Sequence, residues 1–288
     1  MIKVYDREKK DFYVEDEYGK ESLELLYNTL RGRILLKLFF SNRLYSKMVG
    51  MFEKSIFSRK KVKKFIEDYN IPLKEYEKDK FKSFDDFFIR KKNKKYLEVD
   101  MDKDTLIAPC DGKVQMFKID DALRLKVKGS MYNLAELLED KKIVNRYRGG
   151  TCLVYRLSVD DYHRYCYIDK GKPLLYREIK GKLHTVRPIA KRYNVFARNQ
   201  REYMVANTEN IGEIIYMEVG AIQIGKINNF KVRKFEKGQE KGYFSHGAST
   251  IVIILQEDMV KIDDDIVEMS RKNIETKVKY GQKVGVIV

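Results

Sequence analysis

From Ser22 onward the apolar positions recur at helical spacing: Leu23, Leu26, Tyr27, Leu30, Ile34 and Leu38 form one stripe, with Arg31, Arg33 and Lys37 off it. A second helix is expected around Leu44, Tyr45, Met48 and Phe52. A third runs from Ser58 to Tyr69, carries RKKVKKF and stops before Pro72. Residues 1–20 read as a strand pair or loop. Ser83–Arg90 reads as a short capped helix, with Lys91–Lys95 as its solvated end. Beyond Leu97 the period changes. LIAPCDGKVQMFKI, LRLKVKGSMYNL, TCLVYRLSV, LLYREIKGKLHTV, GEIIYMEVGAIQIGKI and TIVIIL are short strand-like runs punctuated by Gly, Asp and Asn, interrupted by one helix at Leu134–Leu138. VKYGQKVGVIV adds two strands around a glycine turn. The expected fold is α+β: basic amphipathic N-terminal helices, residues 1–80, then a mainly antiparallel β catalytic domain, residues 81–288.

Composition narrows the setting. The 288 residues carry a net charge of +16, which favours an anionic partner: nucleic acid, an acidic membrane leaflet or an acidic substrate. The basic helices admit two readings, ordinary cover for the core or an element lying in an acidic membrane surface. The apolar runs are too short to span a bilayer, and the charged first twenty residues carry no signal-peptide pattern, so a soluble or peripheral protein is expected. Cys110, Cys152 and Cys166 make no paired framework.

The chain holds three histidines, His163, His184 and His246, and no HExxH, CxxC pair or calcium loop, so no metal is expected. Phosphate-binding glycine loops are likewise absent. Four clusters could carry chemistry: APCDGKV around Asp111; DDYHRYCYIDKG with His163, Arg164 and Cys166; VFARNQRE, whose Arg198, Asn199 and Arg201 could hold an anion; and GYFSHGASTIVIIL around Ser249. The bland readings are a β-turn with Asp111 bonding its own backbone, a polar loop, and a turn before a core strand. Asp111, His163 and Ser249 together admit a hydrolase triad, but there is no GxSxG elbow, and a serine fused to a core strand gives a bulky substrate no approach. The carbonyl within its reach is that of Ala248. Attack there exchanges amide for ester, elimination leaves dehydroalanine, and hydrolysis gives a pyruvoyl group.

Read in series, SFDDFFIRK, APCDGKV, KGSMYNLAELL, DYHRY, LHTVRPIA, VFARNQRE and GYFSHGASTIVIIL resemble the phosphatidylserine decarboxylase family, in its order and over most of the chain beyond residue 80. The resemblance implies cleavage between Ala248 and Ser249 into a β chain, 1–248, and an α chain, 249–288. A pyruvoyl cofactor from Ser249 would then convert phosphatidylserine to phosphatidylethanolamine and carbon dioxide. Asp111 and His163 match the family's acid and histidine, while Arg198 and Asn199 match a motif near its site. Two positions depart from the pattern. Cys166 stands where many members have a second histidine, thought to be the base for self-cleavage. Ala248 stands where glycine is usual. The base is therefore His163 or His184, with Cys166 as an accessory.

The partners so implied are phosphatidylserine and an anionic phospholipid membrane, at the cytoplasmic face of the cell membrane, with a homodimer left open and no nucleic acid. Two other functions stay in view: a pyruvoyl decarboxylase acting on another serine lipid or amino acid, and a basic nucleic-acid-binding module built on segments such as RKKNKKY.

Overall fold

The structure, a computed structural model, describes residues 2–15, 20–35, 43–127, 130–181, 195–220, 226–245 and 249–288. The chain opens with β1 (Ile2–Asp6) and β2 (Asp11–Glu15), then α1 (Lys20–Asn28), α2 (Leu30–Leu35), α3 (Arg43–Lys54), α4 (Lys60–Tyr69) and α5 (Phe84–Phe88). The middle of the chain forms β3 (Thr105–Ile107), β4 (Gly112–Lys118), β5 (Arg124–Val127), β6 (Ser130–Asn133), α6 (Leu134–Leu138), β7 (Thr151–Leu157), β8 (Arg164–Cys166) and β9 (Gly171–Ile179). There follow α7 (Val195–Arg198), β10 (Arg201–Thr208), β11 (Glu213–Val219), β12 (Lys226–Asn229), β13 (Glu240–Ser245) and β14 (Ser249–Leu255). The chain ends with β15 (Val260–Ile262), α8 (Asp264–Arg271), β16 (Glu275–Val278) and β17 (Lys283–Ile287).

A nine-stranded sheet, ordered β2-β1-β16-β4-β7-β14-β11-β10-β9, organises the molecule. Its neighbours pair antiparallel except β1 with β16. Strand β14 lies inside it, next to the middle strand β7, and is buried along its whole length. Ile251, Ile253 and Leu255 enter one core while Val252 and Ile254 enter the other, because successive side chains leave opposite faces. A strand covered on both sides reads as an unbroken apolar run, as this one does. The first face carries α4, α5 and two three-stranded sheets, β12-β13-β8 and β15-β17-β3; the second carries α6 and the β5-β6 hairpin.

The α+β expectation holds, and several elements match it closely. The Leu134–Leu138 helix is α6. Ser83 caps α5, its Oγ accepting from Asp86 N at 3.1 Å. Asn70, in the left-handed region, ends α4 ahead of Pro72. The long first stripe differs. Its helix breaks at Thr29, whose hydroxyl donates to Leu25 O and accepts from Gly32 N. Leu26 and Tyr27 are buried while Leu30 and Ile34 are exposed; Leu38 lies outside the described residues. The tail strands also part company, β16 joining the large sheet and β17 a small one.

A buried ion pair locks the β12-β13-β8 sheet onto the large sheet. Lys241 Nζ on β13 donates to Glu218 Oε1 on β11 at 2.5 Å and to Asn229 Oδ1 at 2.7 Å, over the ring of Tyr216. Burial lifts the Glu218 carboxyl above its usual range, against the pull of Lys241. Lys241→Met strands that carboxylate and should cost about 3–5 kcal/mol, whereas adding Glu218→Leu should recover much of the loss. Urea unfolding, with each change made in a Ser249→Ala background, measures both.

Candidate active site

The registers bring the sequence motifs to one end of the central sheet. Ser249 opens β14 opposite Leu157, the last residue of β7. Lys113 pairs with Arg156, which sets Gly112 beside Leu157 on the far side. Thr250 pairs with Val219, which sets Ser249 across from Gly220. Gly220 N donates to Gln200 O at 2.9 Å, and Asn199 Nδ2 donates to Gly220 O at 2.7 Å. Asp111–Gly112, Leu157, Ser249, Gly220 and Asn199–Gln200 thus form one row. Gly112 and Ser249 are two strand spacings apart, roughly 10 Å. Glycine is required in the Asp111 turn, since a Cβ at position 112 would lie 2.8 Å from Arg156 O.

Ser249 is fully buried, and its Oγ has no hydrogen-bond partner among the described residues. Residues paired across strands share a face, so Ser249 points with Leu157 into the core that also holds Cys166 and Phe244. The hydroxyl of Thr250, on the opposite face, is also without a partner there. Ala248 and His184 lie outside the described residues, and with them the geometry of the Ala248–Ser249 bond.

His163 is buried just before β8. Its carbonyl accepts from Phe244 N at 3.0 Å, so its backbone is joined to the end of β13, the strand that leads to Ser249. Its ring lies 4.0 Å from the ring of Phe88, and Nδ1 is 2.9 Å from Asp161 O. A carbonyl only accepts, so Nδ1 carries the hydrogen and Nε2 holds the lone pair of the neutral ring.

Asp111 does not bond its own turn. Oδ1 accepts from Tyr280 N at 2.8 Å and Oδ2 pairs with Lys92 Nζ at 3.2 Å. Its loop meets the histidine strand where Cys166 N donates to Pro109 O at 2.8 Å. Cys166 is buried, and burial pushes its thiol up to about 12 despite a hydrogen bond with Tyr280 that favours the thiolate.

The VFARNQRE cluster separates into parts. Asn199 is buried on Gly220, and Arg198 is exposed. Arg201 is no anion holder. Its buried guanidinium donates to the carbonyls of Glu136, Leu137, Ala197 and Asn199 and pairs with Glu139, tying α6 to α7. A second polar group lies against β4 and β7. Lys113 pairs with Asp161 and Glu15, and Arg156 with Glu275 and Glu15. Burial opposes the Glu15 charge, but Arg156 and Lys113 outweigh it and hold the carboxyl near 2. Among the described residues no group of His, Cys, Asp and Glu could hold a metal ion.

Sequence reading misses Phe88, Arg90 and Lys92 as site neighbours, because nothing local says that residues 88–92 meet residues 160–164. Glu218 and Lys241 left a signal. A glutamate inside IIYMEV, at a position that must be buried, calls for a cationic partner.

The fold and this row of strand ends define an α+β protein with a buried serine opening an interior strand, an aspartate at the end of the sheet that holds it, and a histidine tied to the strand that leads to it. The sequence profile of the phosphatidylserine decarboxylase family matches residues 84–286. The chain is 48% identical over 285 residues to phosphatidylserine decarboxylase proenzyme 2 of Clostridium acetobutylicum, covering 99% of this chain and 98% of that one. It is 41% identical to the proenzyme of Ruminiclostridium cellulolyticum, covering 99% and 97%, and 37% identical to that of Clostridium perfringens, covering 99% of each. The chain belongs to the phosphatidylserine decarboxylase family.

Proposed function

We infer that the protein converts phosphatidylserine to phosphatidylethanolamine and carbon dioxide, and that it first cleaves itself at Ala248–Ser249. The observation that carries the self-cleavage is the Ser249 hydroxyl, buried at the mouth of a core strand with no partner among the described residues. Burying a hydroxyl unpaired is costly, and a site of that kind calls for a chemical reason. His163 Nε2 takes the Ser249 proton, and Oγ attacks the Ala248 carbonyl carbon. The C–N bond breaks as the new C–O bond forms, and the Ser249 nitrogen regains a proton. Loss of the Cα proton then expels the Ala248 carboxylate, leaving dehydroalanine at position 249. Water converts its tautomer to a pyruvoyl group and releases ammonia.

The orphaned hydroxyl fits that prosthetic group, since it is the atom consumed in making it. A pyruvoyl group supplies an electron sink for the loss of a carboxylate from an attached amino acid. The chain's part in decarboxylation is to exclude water and to return a proton, a role we assign to His163. Supplying vesicles that contain phosphatidylserine, against free serine at equal concentration, tests the substrate. Carbon dioxide from free serine alone would overturn this reading in favour of a soluble amino acid.

Membrane docking at the cytoplasmic face is proposed for the α3–α4 region. Ile56 and Phe57 are 68% and 74% exposed, Met48, Met51 and Phe52 are exposed beside them, and the run Arg59–Lys64 follows. Apolar side chains and cations on one element suit an anionic bilayer surface. No helix among the described residues is long and apolar enough to cross a membrane. Replacing Met51, Ile56 and Phe57 together with serine should weaken sedimentation with anionic vesicles at least about tenfold, the scale of losing several buried apolar side chains. Self-cleavage should be unchanged. Unaltered sedimentation, or equal binding to neutral vesicles, would move the contact elsewhere.

A further inference from the structure

Residues 88–92 run as a strap across the loop that presents His163. Phe88 packs on the histidine ring at 4.0 Å. Ile89 O accepts from Arg164 Nε at 3.0 Å and Nη2 at 2.9 Å. Arg90 Nη2 donates to Asp160 O at 3.0 Å and Asp161 O at 3.3 Å, the second of these being the carbonyl that faces His163 Nδ1. Lys92 N donates to Tyr162 Oη at 3.2 Å, and its Nζ reaches Asp111 Oδ2 at 3.2 Å. On its other side the strap is held by Glu77 N to Lys91 O and Asn93 N to Glu75 O, both 2.8 Å. Every residue of the strap but Lys91 therefore touches the His163 loop or Asp111.

The cations around this loop are committed in different ways. Arg90 serves carbonyls, Arg164 serves Ile89 O and Glu240, Lys113 serves Asp161 and Glu15, and Arg156 serves Glu15 and Glu275. Lys92 alone of these five is paired with Asp111. Burial works against its charge, but Asp111, Tyr76 and Glu75 outweigh that and hold the ammonium above its ordinary value; its Nζ also lies 5.1 Å from the Tyr162 ring. Tyr280 N fixes the other oxygen of Asp111. The carboxylate is thus gripped from two elements, one of them the strap that also seats the histidine.

We propose that Lys92 is a positioning residue for self-cleavage, holding the Asp111 carboxylate in register with His163 through the 88–92 strap. This rests on the reading that Asp111 serves self-cleavage. The test is the rate at which freshly translated full-length chain divides at Ser249, followed by denaturing electrophoresis. Lys92→Met should slow division by about tenfold to a hundredfold, the range for a lost hydrogen bond to a charged group. Lys92→Arg should stay near the parent rate, and ethylammonium should partly restore Lys92→Ala. The thermal unfolding midpoint of Lys92→Met in a Ser249→Ala background should fall by only a few degrees, leaving the chain folded at the assay temperature. Division at the parent rate, slowing that neither arginine nor ethylammonium relieves, or normal division with a raised KM for phosphatidylserine would each overturn the proposal. If Asp111→Asn divides normally, the underlying reading falls as well; if it fails to divide while Lys92→Met divides normally, the positioning role alone is lost.

Discussion

Ser249→Ala should remain a single chain of 288 residues, while the parent divides into pieces of 248 and 40. The electrophile nearest to the serine along the chain is the carbonyl that precedes it, and its own strand is held on both edges by β7 and β11. The smaller piece should have a blocked N-terminus lighter than serine, and intact mass spectrometry reads both features at once. A free serine amine at residue 249 would mean plain hydrolysis and would sink the mechanism. The substitution should also leave the fold at least as stable, since it removes a costly buried hydroxyl that has no partner among the described residues rather than a hydrogen bond. Loss of cleavage without a lowered urea midpoint separates a chemical role from a structural one.

How far the sequence reaches can be judged from single elements. The strand at Ile251–Leu255 is legible because a run buried on both faces has no polar phase to hide in. The α5 cap and α6 are legible because each start signal is local: Ser83 bonds Asp86 N, and Asn133 Oδ1 accepts from Ala135 N at 2.8 Å. Helix α8 is passed over although Asp263, Asp264 and Asp265 precede Ile266 and Met269, a fair amphipathic start. Its brevity, between two strands, hides it. Pairing is the harder matter. Nothing near β1 says that it runs parallel to β16, some 270 positions later, and nothing near Val278 says that Tyr280 will donate to Asp111. Such contacts belong to topology, which periodicity does not encode.

The candidate site shows the same division. Ser249, His163 and Asp111 can be selected from residue type, scarcity and resemblance, and the registers bring Ser249, Asp111 and Asn199 into one row. Arg201 shows the limit. Written beside Arg198 and Asn199 it looks like part of an anion site, yet its guanidinium is spent on the carbonyls of α6 and α7. An arginine's donors can serve main chain as well as phosphate, and only the fold tells which.

His163→Ala and Asp111→Ala should both block division, leaving the 288-residue chain intact, whereas Cys166→Ser should still divide. Self-cleavage needs a group to accept the Ser249 proton. Cys166 stands where the family resemblance implies a second histidine, so it is the first rival to exclude. Burial pushes its thiol up to about 12, so at neutral pH it stays protonated and has no free pair of suitable basicity. His163 meets the requirement better. Its Nδ1 hydrogen is aimed at the Asp161 carbonyl, which leaves Nε2 as the accepting atom, and Phe244 N ties its backbone to the strand that leads to the serine. General-base loss costs about a hundredfold to ten-thousandfold in rate, enough for the variant to appear undivided over hours when the parent divides within minutes. His184 lies outside the described residues, so its claim is settled by rate alone. Normal division of His163→Ala together with an intact His184→Ala chain would transfer the base to His184, and division that fails only in Cys166→Ser would return it to the thiol.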